Sequence, residues 1–265
     1  MIAAALIVFR EVLEAALVIA VIMGATKSLK GRAIWVGWGI FFGVLGACVV
    51  AALMSRISQS LSGTGLPIFE AAVLLGAVLM LGWHNIWMSK NGKLISADLK
   101  RLGHEVEIGH KPMISIFTVA AIAVLREGSE IVLFLYGVAA SGATASAIVF
   151  GGLFGISAGI AVGFAIYLGL MKIPVRYFFQ VTGWMILLLA AGMASQAAAF
   201  LNQADLLPAI KDSVWNTSWI VDGHSFLGVA LKALIGYTPS PSGLQLIFYV
   251  TTLIAIGSLM KLVRE

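Results

Sequence analysis

The sequence predicts an all-α integral membrane protein, on three observations. Of 265 residues, 60% are apolar and only 11% are charged, where a water-soluble domain carries about 25% charged residues. Mean hydropathy is +1.02. The apolar residues also fall in runs near the ~20 that a helix needs to cross a bilayer. They lack the two-residue alternation of a membrane strand, and only a helix satisfies its own backbone polar groups in lipid.

Seven spans are expected, at residues 2–24, 33–55, 67–89, 113–139, 144–171, 177–202 and 243–262. The first lacks a basic leader, and Arg10, Glu11 and Glu14 interrupt it, so it reads as a retained span and not as a signal peptide. The second carries Gly39, Gly43 and Ala47 at four-residue spacing, which puts small residues on one face where another helix can approach. The third opens with Phe69-Glu70 and closes with Trp83, His84, Asn85 and Trp87. The fourth holds Arg126, Glu127 and Glu130. The fifth repeats the small-residue face more strongly at Gly151, Gly155, Gly159 and Gly163, and the sixth opens with Phe178-Phe179-Gln180. Residues 203–242 form the longest connection and precede the seventh span. That connection reads as a solvated loop with a short interfacial helix, or less readily as a metal-receiving vestibule around Asp222 and His224.

Lys and Arg set the orientation. Twelve lie in the connections after spans one, three and five and at the C-terminus, and three, Arg56, Lys211 and Lys232, lie on the other side. The basic side is expected to be cytoplasmic, with the N-terminus outside and the C-terminus inside. The net charge of +5 is therefore a membrane-orientation signal, and nucleic acid is excluded as a partner; the bilayer is the expected surrounding. Cys48 is the single cysteine, which makes neither a disulfide framework nor a thiolate metal site.

Residues 1–89 and 113–202 read as two repeats of three spans, and the seventh span has no counterpart. Arg10-Glu11-Val12-Leu13-Glu14 answers Arg126-Glu127-Gly128-Ser129-Glu130. Span one runs inward and span four outward, so the repeats are inverted, an arrangement that places substrate sites near the midplane. Within each motif the two glutamates are three residues apart and the arginine is four before the second glutamate, all on one helix face. Both motifs lie near mid-membrane, where an ionised Asp or Arg costs about 2.5–3.5 kcal/mol on insertion scales. Glu11, Glu14, Glu127 and Glu130 against Arg10 and Arg126 leave a formal deficit of two positive charges, which a multivalent cation could fill. The arginines would tune the charge and rotamers of the carboxylates.

Oxygen donors select hard cations, which admits iron, manganese and similar ions. A salt-bridge lock between spans one and four, and a proton relay, remain as alternatives. Glu70, Asp222, His224 and His84 are candidates for the ion's way in or out. Ordinary interfacial roles compete at Glu70 and His84. No catalytic residue and no fixed cofactor are expected.

At these motifs the chain resembles the high-affinity iron permease family, the oxidase-dependent ferric transporters of fungi and bacteria. The family hallmark Arg-Glu-Gly-Leu-Glu stands here as Arg10–Glu14 and Arg126–Glu130, with Val12 in place of glycine and Ser129 in place of leucine. Ala15-Ala16-Leu17, Phe69-Glu70, His224-Ser225 and Gly236-Tyr237 also fit. The resemblance implies uptake of ferric iron as the transported substrate. It also implies a partner outside the membrane that oxidises or delivers it, of the periplasmic, bacterial type. Val12 is expected to alter how closely span one meets its neighbour, and Ser129 to bring a hydroxyl near the site.

Overall fold

The computed structural model describes residues 1–60, 65–140, 142–168, 175–208, 210–211, 213–223, 225, 228, 231–232 and 235–262, without the side chains of 85, 88–96 and 175–182. The described residues are all-helical with connecting turns. The long helices among the described residues are α1 (Ile2–Ala25), α2 (Arg32–Ser60), α3 (Gly65–Glu107), α4 (Ile114–Ala140), α5 (Ala145–Tyr167), α6 (Val175–Gln203) and α7 (Gly243–Leu262), and residues 228, 231–232 and 235 between the last two are also helical. Among the described residues five stretches are long and apolar enough to cross a membrane: α2, Gly65–His84 of α3, α5, Gly183–Gln203 of α6, and α7. Helices α1 and α4 are as apolar elsewhere, but each carries three charged residues at its centre.

Those charges explain where α1 and α4 lie. They touch each other inside the bundle, while α2 and α5 present rows such as Trp38, Phe41 and Val49, or Phe150, Phe154 and Ile160, to the outside. Helix α1 packs against α5, α2 against α4, and α3 against α6, which also meets α7. Small residues make the first two pairings close. On α2, a Cβ added at Gly43 would lie 2.8 Å from the Ala121 carbonyl oxygen of α4. On α5, a Cβ at Gly155 would lie 2.6 Å from the Ala5 carbonyl oxygen of α1. The expected small-residue faces are thus both used as helix contacts. Val12 of α1 lies over Gly159, where no side chain competes, while Gly128 of α4 lies over Ala47.

The third helix differs from its expected extent. The charged segment after residue 89 reads from sequence as a connection, yet α3 continues to Glu107. The reason is its packing. Val106 is buried with Ile22, Val36, Ile116 and Ala120, and Leu99 and Met113 lean on the same cluster. Gly103 meets Ala25, and Ser28 donates to Glu107. The extension is therefore an amphipathic arm laid under the ends of α1, α2 and α4.

The long connection before α7 is largely exposed and is tied to itself and to its neighbouring helices by hydrogen bonds and one close backbone contact. Val214 N donates to Pro241 O and Thr217 N to Pro239 O, both at 2.9 Å. Tyr237 Oη bonds Thr217 Oγ1 at 2.7 Å and donates to Val221 O at 3.2 Å, while Tyr249 Oη of α7 donates to Ile235 O at 2.8 Å. Gly236, at φ +69°, lies against Gly192 with no room for a Cβ on either residue. Gly192 is eleven residues from the end of α6, so the connection reaches about 16 Å down that helix at ~1.5 Å per residue.

Candidate metal site

Three helices converge on one buried point. Helix α1 brings Arg10, Glu11 and Glu14, α4 brings Arg126, Glu127 and Glu130, and α3 brings His84. Three- and four-residue spacing keeps each motif's acids on the face its helix turns toward the other. Glu11, Glu14, Glu127, Glu130 and His84 are all buried. One ligand atom each from Glu11, His84, Glu127 and Glu130 lie within 4.8 Å of one another.

His84 bridges the two motifs. Its Nε2 is 2.7 Å from Glu14 Oε2, and its Nδ1 is 3.0 Å from Glu130 Oε2. Arg126 Nη2 points at the same Nδ1 from 3.1 Å. A neutral ring protonated on Nε2 donates to Glu14 and accepts from Arg126, whereas a doubly protonated ring donates to both carboxylates. Either form has partners in place.

The arginines act as the spacing predicts, each toward its own motif. Arg10 Nε is 3.0 Å from Glu14 Oε1, and its Nη1 is 3.5 Å from Glu11 Oε1. Arg126 Nε is 3.2 Å from Glu130 Oε1 and 3.9 Å from Glu127 Oε1. Even so, each glutamate keeps one buried oxygen with no hydrogen-bond partner: Glu11 Oε2, Glu14 Oε1, Glu127 Oε2 and Glu130 Oε2. Glu14 Oε1 and Glu130 Oε2 still have a cationic or imidazole nitrogen at 3.0 Å. Glu11 Oε2 and Glu127 Oε2 lack even that among the described residues, and both residues belong to the converging ligand group. A buried, unpaired carboxylate oxygen is costly, and a cation supplies the missing partner. Oxygen and imidazole donors together suit iron among other first-row ions.

The remaining candidates lie elsewhere. Glu70 is fourteen residues before His84 on α3, about 21 Å along the axis. It is partly buried and outside the cluster. Asp222 is exposed in the connection before α7, where its carbonyl accepts from Ser225 N at 3.0 Å. His224 lies outside the described residues. Ser129 turns away from the acids, its hydroxyl donating to the Leu125 carbonyl at 2.7 Å.

His84 is the residue whose place the sequence conceals. With span three ended at 89 it reads as terminal, but on a helix that runs to Glu107 it sits near the middle. The usable signal was a lone imidazole in an apolar helix flanked by carboxylate motifs on two others.

Apolar helices closed around a buried, acid-rich ligand cluster define the class as an integral membrane protein with an ion-attracting interior. The particular family follows from the whole chain: it belongs to the iron permease FTR1 family, whose profile matches residues 1–263. Among its relatives is the ferrous iron permease EfeU of Yersinia pestis, 30% identical over 254 residues covering 94% of this chain and 89% of the relative. The protein of that name in Yersinia pseudotuberculosis is 30% identical over 254 residues, with 94% and 88% covered. That of Escherichia coli O6:H1 is 28% identical over 246 residues, with 89% and 87% covered. No solved structure matches the chain.

Proposed function

We propose that this protein moves iron across the cytoplasmic membrane through the cluster of Glu11, Glu14, His84, Glu127 and Glu130, with Arg10 and Arg126 as charge-tuning groups. The observation that carries this reading is the meeting of ligand atoms from α1, α3 and α4 within 4.8 Å. Four carboxylates against two guanidiniums leave room for a multivalent cation. The orphaned oxygens argue against the salt-bridge lock, since a lock between helices would pair them.

The seven-span reading with inverted halves belongs to the same proposal. It is supported by the exchange of partners, α1 on α5 and α2 on α4, which is one relation with the halves interchanged. In that frame the halves rock about the midplane cluster to give alternating access, and a periplasmic protein that oxidises or delivers iron meets the outer side.

Ferric iron is the form the resemblance implies. A second reading, the ferrous ion, is favoured by the imidazole among the carboxylates and by the relatives, which are named ferrous iron permeases. Uptake of radiolabelled iron with and without ascorbate, in vesicles holding the purified protein, separates the two. For the site itself, Glu14→Ala and Glu130→Ala are expected to abolish iron uptake while the protein still reaches the membrane. Normal uptake in both variants would sink the proposal, and uptake driven by manganese but indifferent to iron would pass it to another hard cation.

A further inference from the structure

The cluster has two unlike flanks. On one, a cavity of about 760 Å³ lies between α1, α2, α4 and α5, bordered by Glu11 and Glu127 but walled by residues such as Ile19, Val44, Cys48 and Phe164. On the other flank, between α3 and α4, lies Arg126. The two arginines hold the same place in their motifs and have opposite surroundings. The Arg10 side chain is 3% exposed, and that of Arg126 is 40% exposed. Arg126 also stacks over Trp87, its guanidinium carbon 5.0 Å from the ring centroid. Trp87 is three residues beyond His84, on the same side of α3.

An ionised guanidinium at membrane depth faces protein or water, because bare hydrocarbon is too unfavourable. The open edge of Arg126 therefore marks a wetted crevice. The apolar cavity is the reverse case. An ion crossing it would shed its hydration and meet few donors before the two glutamates, and apolar walls do not repay that loss. We propose that water and the ion reach the cluster along the α3–α4 face, past Arg126, and not through the apolar cavity. Trp87 is a positioning residue there, holding the guanidinium at the mouth by a cation–π contact. This rests on the reading of the cluster as the iron site, but the labelling test of the route does not depend on transport.

Cys48 is the single cysteine of the chain and lines the apolar cavity. Ile122 is 60% exposed and one turn from Arg126 on the same face of α4. Membranes open to reagent from both sides are treated with a cationic methanethiosulfonate, and separately with an apolar maleimide. The cationic reagent is expected to modify Ile122→Cys in a Cys48→Ser background and to leave the native protein unmodified, while the maleimide labels both. Rapid modification of the native thiol by the cationic reagent, or none of Ile122→Cys, overturns the route. For Trp87, Trp87→Leu is expected to raise the KM for iron about tenfold and Trp87→Phe to restore most of it. Equal behaviour of the two variants overturns the positioning role. Iron failing to enter in any form, with the labelling pattern intact, would instead count against the cluster as the iron site.

Discussion

His84 holds both halves of the site at once, with Nε2 against Glu14 of α1 and Nδ1 against Glu130 of α4. Removing the ring leaves Glu14 Oε2 without its 2.7 Å partner and takes away the one nitrogen donor of the ligand group. His84→Ala is therefore expected to weaken iron binding by about 10–100-fold, the range seen when groups supporting a metal site are lost. Isothermal titration in detergent reads this directly, and wild-type affinity in the variant would remove His84 from the site. The four glutamates and two arginines were legible in the sequence, because spacing along one helix determines which groups share a face. The imidazole was legible only as a candidate for the ion's way in or out, because its partners are 46 and 70 residues away and no local pattern reports such a meeting.

At the scale of elements, the glycine faces of α2 and α5 are the contacts most sensitive to added volume. Gly155→Leu would drive a side chain into the Ala5 carbonyl and the Phe9 backbone nitrogen of α1. Overpacking of this kind costs about 1–3 kcal/mol. Gly152, three residues before Gly155, has nothing within 4 Å of an added Cβ. Gly152→Ala is expected to be neutral or to stabilise by up to about 1 kcal/mol, the helix-propensity gain of alanine over glycine. Thermal unfolding of the two variants in detergent compares them, and equal losses would mean that the α1–α5 seam is looser than described. These faces were readable in advance because four-residue spacing of small residues has one physical use in lipid.

The arm of α3 was not readable. Its charges look like a connection, and only burial of Leu99 and Val106 against three other helices makes it helical. The arm is tied to the start of α4 by Glu105, which accepts from Lys111 Nζ at 2.7 Å, with Arg101 Nε at 3.4 Å. The Lys111 hydrogen bond holds the Glu105 carboxyl below the usual carboxylate range. A depressed carboxyl stabilises the fold above its unfolded pKa and loses that contribution as pH falls through the folded pKa. The tie should hold at neutral pH and slacken in acid. Lys111→Met is expected to raise amide exchange of residues 105–113 at neutral pH and to remove the acid dependence. Unchanged exchange would show that the pair contributes nothing, a common outcome for exposed ions.

For the molecule as a whole, the proposed iron site would couple ion occupancy to stability through its unpaired oxygens. Anything that binds the folded state alone stabilises it by RT ln(1 + [L]/Kd), about 2.7 kcal/mol at a hundredfold excess over Kd. The unfolding temperature in detergent is expected to rise with iron in the native protein and not in a Glu14→Ala, Glu130→Ala double variant. A rise of the same size in both would place the responsible site elsewhere. The class of fold could be read from composition, since hydropathy and run length answer only to the bilayer. Which helix met which could not, because apolar helices in lipid have little in their periodicity to choose between neighbours. How the connection before α7 is anchored was hidden for a similar reason: the anchor is Gly236 against Gly192, a backbone contact that leaves no trace in side-chain character.

Val12 above Gly159, and Gly128 above Ala47, have one more implication. Bulk sits on the first helix in one seam and on the second helix in the other. Two copies of the first half would set valine against alanine, with no hollow to receive it. Two copies of the second would set glycine against glycine and leave a gap. Neither half is a fit mate for itself, and each is shaped to accept only the other.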